Sequence, residues 1–153
     1  MSILKVAAAQ YPITQFESLE DWVQHTTEWV EEAVALQAEI LCFPEYGSME
    51  LSSLVENQND PSTQVVQMQV LHKDFLATYT ELATDNEVVI ITPSFPVKEG
   101  NKYVNRAYVI DTKGNVQKVY YNENVYRVSK GTESYKEIMQ AGLECIGDID
   151  ESD

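Results

Sequence analysis

One carboxylate in this 153-residue chain stands where a strand should end. In Ala38-Glu39-Ile40-Leu41-Cys42-Phe43-Pro44-Glu45-Tyr46-Gly47, the run from Ile40 to Phe43 is apolar and of strand length. Pro44 has no N–H to give a sheet ladder and closes the strand. Glu45 then lies at the carboxyl end, where open α/β sheets bind ligands. A glutamate held between a stiff proline and an aromatic is partly desolvated, which raises its pKa toward the range useful for a general base. A solvated glutamate in a loop after a strand is the plain alternative.

Other groups able to do chemistry are few. Cys42 sits inside the apolar run and reads as an inert small hydrophobe. Cys145 lies between Glu144 and Asp148, whose charges would raise its pKa and weaken it as a nucleophile. His72 sits beside a helical stripe with no partner suggested nearby, so it reads as a solvated or packed histidine. Two cysteines make neither a disulfide framework nor a zinc pattern, and no metal or cofactor is implied.

Composition narrows the partners. The formal net charge of −15 argues against nucleic acid or an anionic membrane surface. Residues 1–120 carry 17 acidic and 7 basic side chains, and residues 121–153 carry 8 and 3, so the short tail holds a disproportionate share of the surplus. The length fits one domain with a real core. No signal peptide, transit peptide or spanning segment is visible, and a cytoplasmic location is the default expectation.

The elements that would position Glu45 can be read in order. Residues 3–10 form an apolar run expected to be a strand buried on both faces. Ser18 fits a helix N-cap with Asp21 reaching back. Leu19, Val23, Thr26, Val30, Ala33 and Gln37 then recur at helical spacing, flanked by Trp22 and Trp29, while Glu20, Glu28, Glu31 and Glu32 make an acidic outer face. Residues 47–54 read as a loop and short helix at the rim of the sheet. A second helix is expected over residues 63–85, with Met68, Leu71, Phe75, Tyr79 and Leu82 inward. Val88 to Thr92 is a β-branched strand closed by Pro93, and residues 98–101 read as a turn. Strands are then expected over 103–110 and 116–121, joined by a turn at 111–115. In residues 121–153 a short strand at 125–128 and a helix at 135–141 are expected. The pattern is β-α-β-α-β followed by a hairpin, an α/β fold.

With Lys5-Val6-Ala7-Ala8-Ala9-Gln10, Phe43-Pro44-Glu45-Tyr46, Met49-Glu50-Leu51 and Asn105-Arg106-Ala107-Tyr108 in these places, the chain resembles the N-terminal half of the nitrilase superfamily over about residues 3–120. These carbon–nitrogen hydrolases cleave amides or nitriles with a Glu-Lys-Cys triad. The resemblance implies half of an αββα sandwich, a mixed sheet with two main helices on one face. It implies an incomplete family region at 1–120 and a divergent acidic tail at 121–153. It makes Glu45 the general base, with Ser94-Phe95-Pro96 bordering the site and Tyr46 and Ser94 at the substrate rim. The lysine should follow Lys118-Val119-Tyr120, but the chain reads Tyr121-Asn122-Glu123-Asn124, so Asn122 or Glu123 stands in its place. The late cysteine is Cys145, earlier than the family's and without its strand. The implied function is hydrolysis of a small-molecule amide or nitrile, impaired or absent in a truncated chain. The alternative is a non-catalytic binding module using the sheet face that the second half covers in the family. Pairing into a homo-oligomer would cover that face as well.

Overall fold

The computed structural model describes residues 3–10, 12–56 and 60–121, with Tyr120 and Tyr121 through their backbone alone. Ser18 starts the first helix as its residue type predicts. Its side chain accepts the Asp21 N–H at 3.1 Å and donates to the Asp21 carboxylate at 2.7 Å. The helix that follows, α1 (Leu19–Ala35), turns Trp22, Thr26 and Val30 inward and leaves Glu20, Glu28, Glu31 and Glu32 exposed. The buried stripe is rotated from the expected one. Trp22 lies at its centre, Val23 is only partly buried and Gln37 is exposed. A tryptophan has far more apolar area to remove from water than a valine, so its burial sets the rotation.

Both long helices end in the same way. Gln37 (φ 64°) and Glu87 (φ 54°) take left-handed conformations just past α1 and past α3 (His72–Asp85). The Ala38 N–H reaches Ala33 O and the Val88 N–H reaches Ala83 O, each at 3.1 Å, closing Schellman motifs without glycine. Each motif sends the chain straight into a strand, β2 (Ile40–Cys42) after α1 and β3 (Val89–Ile91) after α3.

Strand β1 (Val6–Ala8) runs parallel to β2, and β2 parallel to β3. The sheet continues through β4 (Phe95–Glu99), β5 (Lys102–Ile110) and β6 (Val116–Tyr121), making six strands among the described residues. β3 and β4 lie end to end along one edge of β5, antiparallel to it, and β6 lies along the other. The join is Thr92, whose N–H donates to Tyr108 O at 2.9 Å and whose hydroxyl accepts the Tyr108 N–H at 3.1 Å. The turn between β5 and β6 contains Gly114 (φ 78°), where a Cβ would stand 3.1 Å from the methyls of Thr80 and Thr84 on α3.

The core lies between the helices and one sheet face. Phe75, Thr78, Tyr79, Leu82 and Ala83 of α3 are buried at i, i+3, i+4, i+7 and i+8. They meet Leu41, Ile90, Phe95, Val97, Val104, Tyr108 and Ile110. His72 opens α3, and its Nε2 lies 2.7 Å from the Tyr108 hydroxyl. The histidine therefore has a partner that its own sequence neighbourhood does not reveal. Its pKa is lowered, first by burial and then by Arg106 and Lys118.

The opposite face alternates with the first, as the two-residue period of strands requires. It carries Val6, Ala8, Ile40, Cys42, Val89, Ile91 and Val109. Val6 is 60 % exposed, and Ile40, Cys42, Val89, Ile91 and Val109 are half-buried.

Four expectations are corrected. Residues 3–10 do not form a strand buried on both faces. Only Val6–Ala8 is strand, it has one neighbour among the described residues, and its outward side chains are exposed. The helix expected over 63–85 is two helices, α2 (Pro61–Met68) and α3, separated by a 3₁₀ turn at Gln69–Leu71. The break lets the Gln69 side chain accept the Lys98 N–H at 3.0 Å and donate to Pro96 O at 2.5 Å, capping the open edge of β4 as a further strand would. Phe95 and Pro96 are buried strand residues of β4. Lys98 and Glu99 also belong to it, leaving Gly100 and Asn101 as the turn. Residues 122–153, with the expected strand at 125–128, the helix at 135–141 and Cys145, lie outside the described residues.

Candidate active site

Glu45 stands two residues beyond the last ladder contact of β2, where the Phe43 N–H donates to Ile91 O at 3.0 Å. Pro44 turns the chain, and the Gly47 N–H closes back on Pro44 O at 3.1 Å. A 3₁₀ helix, Gly47–Leu54, begins at once. Between them Tyr46 is held at φ 58°, ψ 6°, a left-handed conformation that costs a residue with a Cβ about 1–2 kcal/mol. Such a conformation persists where the surroundings fix it. Ser94 is one of the groups that fix it. It is buried, its hydroxyl accepts the Tyr46 N–H at 3.1 Å, and its carbonyl accepts the Ser48 hydroxyl at 2.5 Å.

The Glu45 carboxylate meets β5. Asn105 donates from Nδ2 to Glu45 Oε1 at 3.0 Å. Val104, Arg106 and Tyr108 share the helix-side face of β5, so Asn105 points to the opposite face. The bond therefore joins a loop at the end of β2 to the sheet face opposite the helices, where Asn105 is itself buried.

Burial on its inner side raises the Glu45 pKa, and the hydrogen bond from Asn105, which favours the ionised form, offsets part of that rise. The residue is still exposed on its outer side. A carboxylate of this kind is open to a reacting group and is a stronger base than a solvated one. The Tyr46 phenol is raised by burial and by the neighbouring Glu45 charge. Its side chain is 40 % exposed beside the carboxylate.

Of the residues singled out in the sequence, Glu45, Tyr46 and Ser94 come together. Ser94 is turned inward to hold the backbone of the loop, and Tyr46 borders the opening. Cys42 is half-buried in β2, with Sγ 3.9 Å from Phe43 O and its thiol pKa raised by burial. Cys145 lies outside the described residues. Ser48 was not singled out, and Glu50 and Asn105 entered only as parts of the segments that carry the resemblance, not as site residues. For Asn105 one sequence signal existed, since asparagine is depleted in strands and here interrupts an apolar, aromatic-rich run. Among the described residues no group of three or more His, Cys, Asp or Glu side chains is placed to hold a metal ion. Nor is any helix among them long and apolar enough to cross a membrane.

Comparison with known proteins shows the family of the chain and folds similar to its own. A profile of the carbon–nitrogen hydrolase family matches residues 5–141. A probable hydrolase of Bacillus subtilis (strain 168), YhcX, is 27 % identical over 117 residues, covering 76 % of this chain and 23 % of its own length. The fold is similar to that of a carbon–nitrogen hydrolase from Helicobacter pylori G27, at 17 % identity and a TM-score of 0.61, covering 88 % of this chain and 43 % of that one. It is also similar to an amidase from Nesterenkonia sp. AN1 solved in complex with acrylamide, at 17 % identity and a TM-score of 0.60, covering 82 % of this chain and 44 % of that one. The chain thus spans under half the length of these two solved structures and about a quarter of the curated relative.

Proposed function

The chain belongs to the carbon–nitrogen hydrolase family, and from that premise we propose that Glu45 is the general base of a centre that hydrolyses a small-molecule amide. The observation that carries the proposal is the placement of Glu45 at the carboxyl end of a parallel strand, half desolvated and oriented by Asn105. In such a reaction Glu45 takes the proton of a thiol as the sulfur adds to the amide carbonyl carbon. It returns the proton to the nitrogen as the C–N bond breaks and ammonia leaves. Water then attacks the thioester with Glu45 again as base, giving the carboxylic acid and restoring the thiol. An amide is favoured over a nitrile by the amidase among its structural relatives.

This chain supplies the base and the groups that hold it. Its own candidate thiol is Cys145, and Asn122 or Glu123 stands where the family pattern expects a lysine. With either residue there, the developing oxyanion lacks the charge that a lysine at that position would give, a loss on the order of 10²–10³ in rate for one lost donor. Turnover by the 153-residue chain is therefore expected to be weak or absent.

The test is ammonia release from a panel of simple amides and nitriles, run beside Glu45→Gln and Cys145→Ala. Turnover abolished by both variants supports a complete centre built on Glu45 and Cys145. Turnover that survives Glu45→Gln overturns the base assignment. Silence in every form favours a second reading, a binding module using the sheet face opposite the helices. The specific support for that reading is the row of half-buried Ile40, Cys42, Val89, Ile91 and Val109 beside exposed Val6. A concentration-dependent mass in solution would support pairing through that face. A monomer at high concentration would count against it.

A further inference from the structure

A buried carboxylate five residues beyond the proposed base has no part in the chemistry above. Glu50 is 1 % exposed, within the 3₁₀ helix that follows Glu45. Its Oε1 accepts the Thr14 N–H at 3.1 Å, and its carboxylate also takes the side-chain N–H of Trp22. Burying a carboxylate is costly unless its oxygens are well bonded, and an apolar side chain of similar volume would often be as stable there. The identity of what it bonds is informative.

Trp22 is part of an aromatic cluster. Its ring centroid is 6.0 Å from that of Tyr79, and Tyr79 is 5.0 Å from Phe43. Phe43 is the last residue before Pro44-Glu45. The segment from Phe43 to Glu50 is therefore pinned at both ends to one cluster, at Phe43 by ring packing and at Glu50 by hydrogen bonding. Glu45 lies inside that span. A second tie runs parallel. The Ser53 hydroxyl accepts the Phe16 N–H at 2.9 Å and donates to Glu50 O at 2.7 Å, fastening the same 3₁₀ helix to the loop before α1. Ser94 holds the near end of the span, through Tyr46 and Ser48. The left-handed Tyr46 is thus fixed from both sides.

We propose that Glu50 is a positioning residue for Glu45. By tying the 3₁₀ helix to Thr14 and Trp22, it closes the far end of the loop and keeps the Glu45 carboxylate partly desolvated against Asn105. The inference rests on the reading of Glu45 as the base. Its readout is the titration of Glu45 itself, without turnover, so a silent activity panel and an unmoved titration are separate failures.

The experiment is carboxyl-carbon NMR titration of Glu45 in the full chain, with the Asn105 side-chain amide followed in the same samples. Glu50→Ala removes the acceptor, while Glu50→Gln keeps one acceptor oxygen of the same shape. With Glu50→Ala the loop opens to water. The Glu45 midpoint should fall toward the ordinary glutamate value, and the Asn105 amide signals should move toward those of a free amide. Glu50→Gln should restore most of both. Trp22→Phe keeps a smaller aromatic ring in the cluster and removes the donor, and should shift both readouts in the same direction by less. It decides the matter where Glu50→Ala does not fold. A folded Glu50→Ala with a lower melting temperature and unmoved Glu45 and Asn105 signals would overturn the proposal, leaving Glu50 a purely structural group. An unmoved Trp22→Phe, where that variant has to decide, would overturn it equally.

Discussion

Replacing Glu50 by glutamine should change how stability depends on pH, in a direction fixed by burial. Desolvation pushes the Glu50 pKa up from 4.5 to about 7, against the opposing effect of the bonds from Thr14 and Trp22. The folded state therefore holds a proton on Glu50 more tightly than the unfolded chain. Between about pH 4.5 and 7 the folded form binds more protons, so the contribution of Glu50 to stability is greatest below that window and is lost as pH rises through it. Above about pH 7 both states are ionised and the contribution is flat. At about 1.4 kcal/mol per pH unit, the change across the window is roughly 3 kcal/mol, an upper figure because relaxation and water entry reduce the penalty on a buried charge. For a domain of ordinary stability, roughly 5–15 kcal/mol, that is a large fraction. Glutamine mimics the protonated acid and does not titrate. The stability difference between Glu50→Gln and the parent should therefore move in favour of the variant between pH 5 and 8. Urea unfolding followed by tryptophan fluorescence at four pH values measures it, and subtracting the two curves removes the other titrating groups. Parallel curves would refute the account, since they would mean that Glu50 titrates alike in the folded and unfolded states.

Three further outcomes follow from single contacts. Asn105→Ala removes the bond that favours ionised Glu45, so the Glu45 midpoint should rise further by carboxyl NMR, with a loss of about 1–2 kcal/mol in denaturant unfolding. A midpoint that falls would show that Asn105 acts on the solvation of the loop instead. Gly114→Ala combines a left-handed backbone with a Cβ 3.1 Å from the Thr80 and Thr84 methyls, and should lower stability by about 2 kcal/mol. A melting temperature equal to the parent's would contradict the packing of this turn on α3. Glu87→Gly relieves the same backbone strain in an open Schellman cap and should raise stability by roughly 0.5 kcal/mol, the relief exceeding the added freedom of the unfolded chain. A net loss would mean that the Glu87 side chain contributes more than its conformation costs.

What the sequence determined by itself was whatever depends on neighbours along the chain. The Ser18 cap, the acidic outer face of α1, the apolar run from Ile40 ended by Pro44, and the turn around Gly114 are local, and each was legible in residue type and spacing. So was Glu45 at a strand end, because a proline after an apolar run has few alternatives. Tertiary contacts decided the rest. β1 is an exposed edge because, among the described residues, only β2 pairs with it, and no periodicity in residues 3–10 encodes the number of neighbours. The long helix breaks at Gln69 because β4, some 30 residues away, offers an open edge for its side chain to cap. Phe95 and Pro96 became strand because β5 pairs with them. Glu45 is partly desolvated because Asn105, 60 residues distant, and the sheet beneath it approach from one side. Glu50 is buried because Thr14 and Trp22 close over it. A pKa depends on what surrounds a group in space. The sequence could therefore place Glu45 at a strand end, and only the fold could supply the Asn105 partner that bonds it and the buried Glu50 carboxylate five residues on.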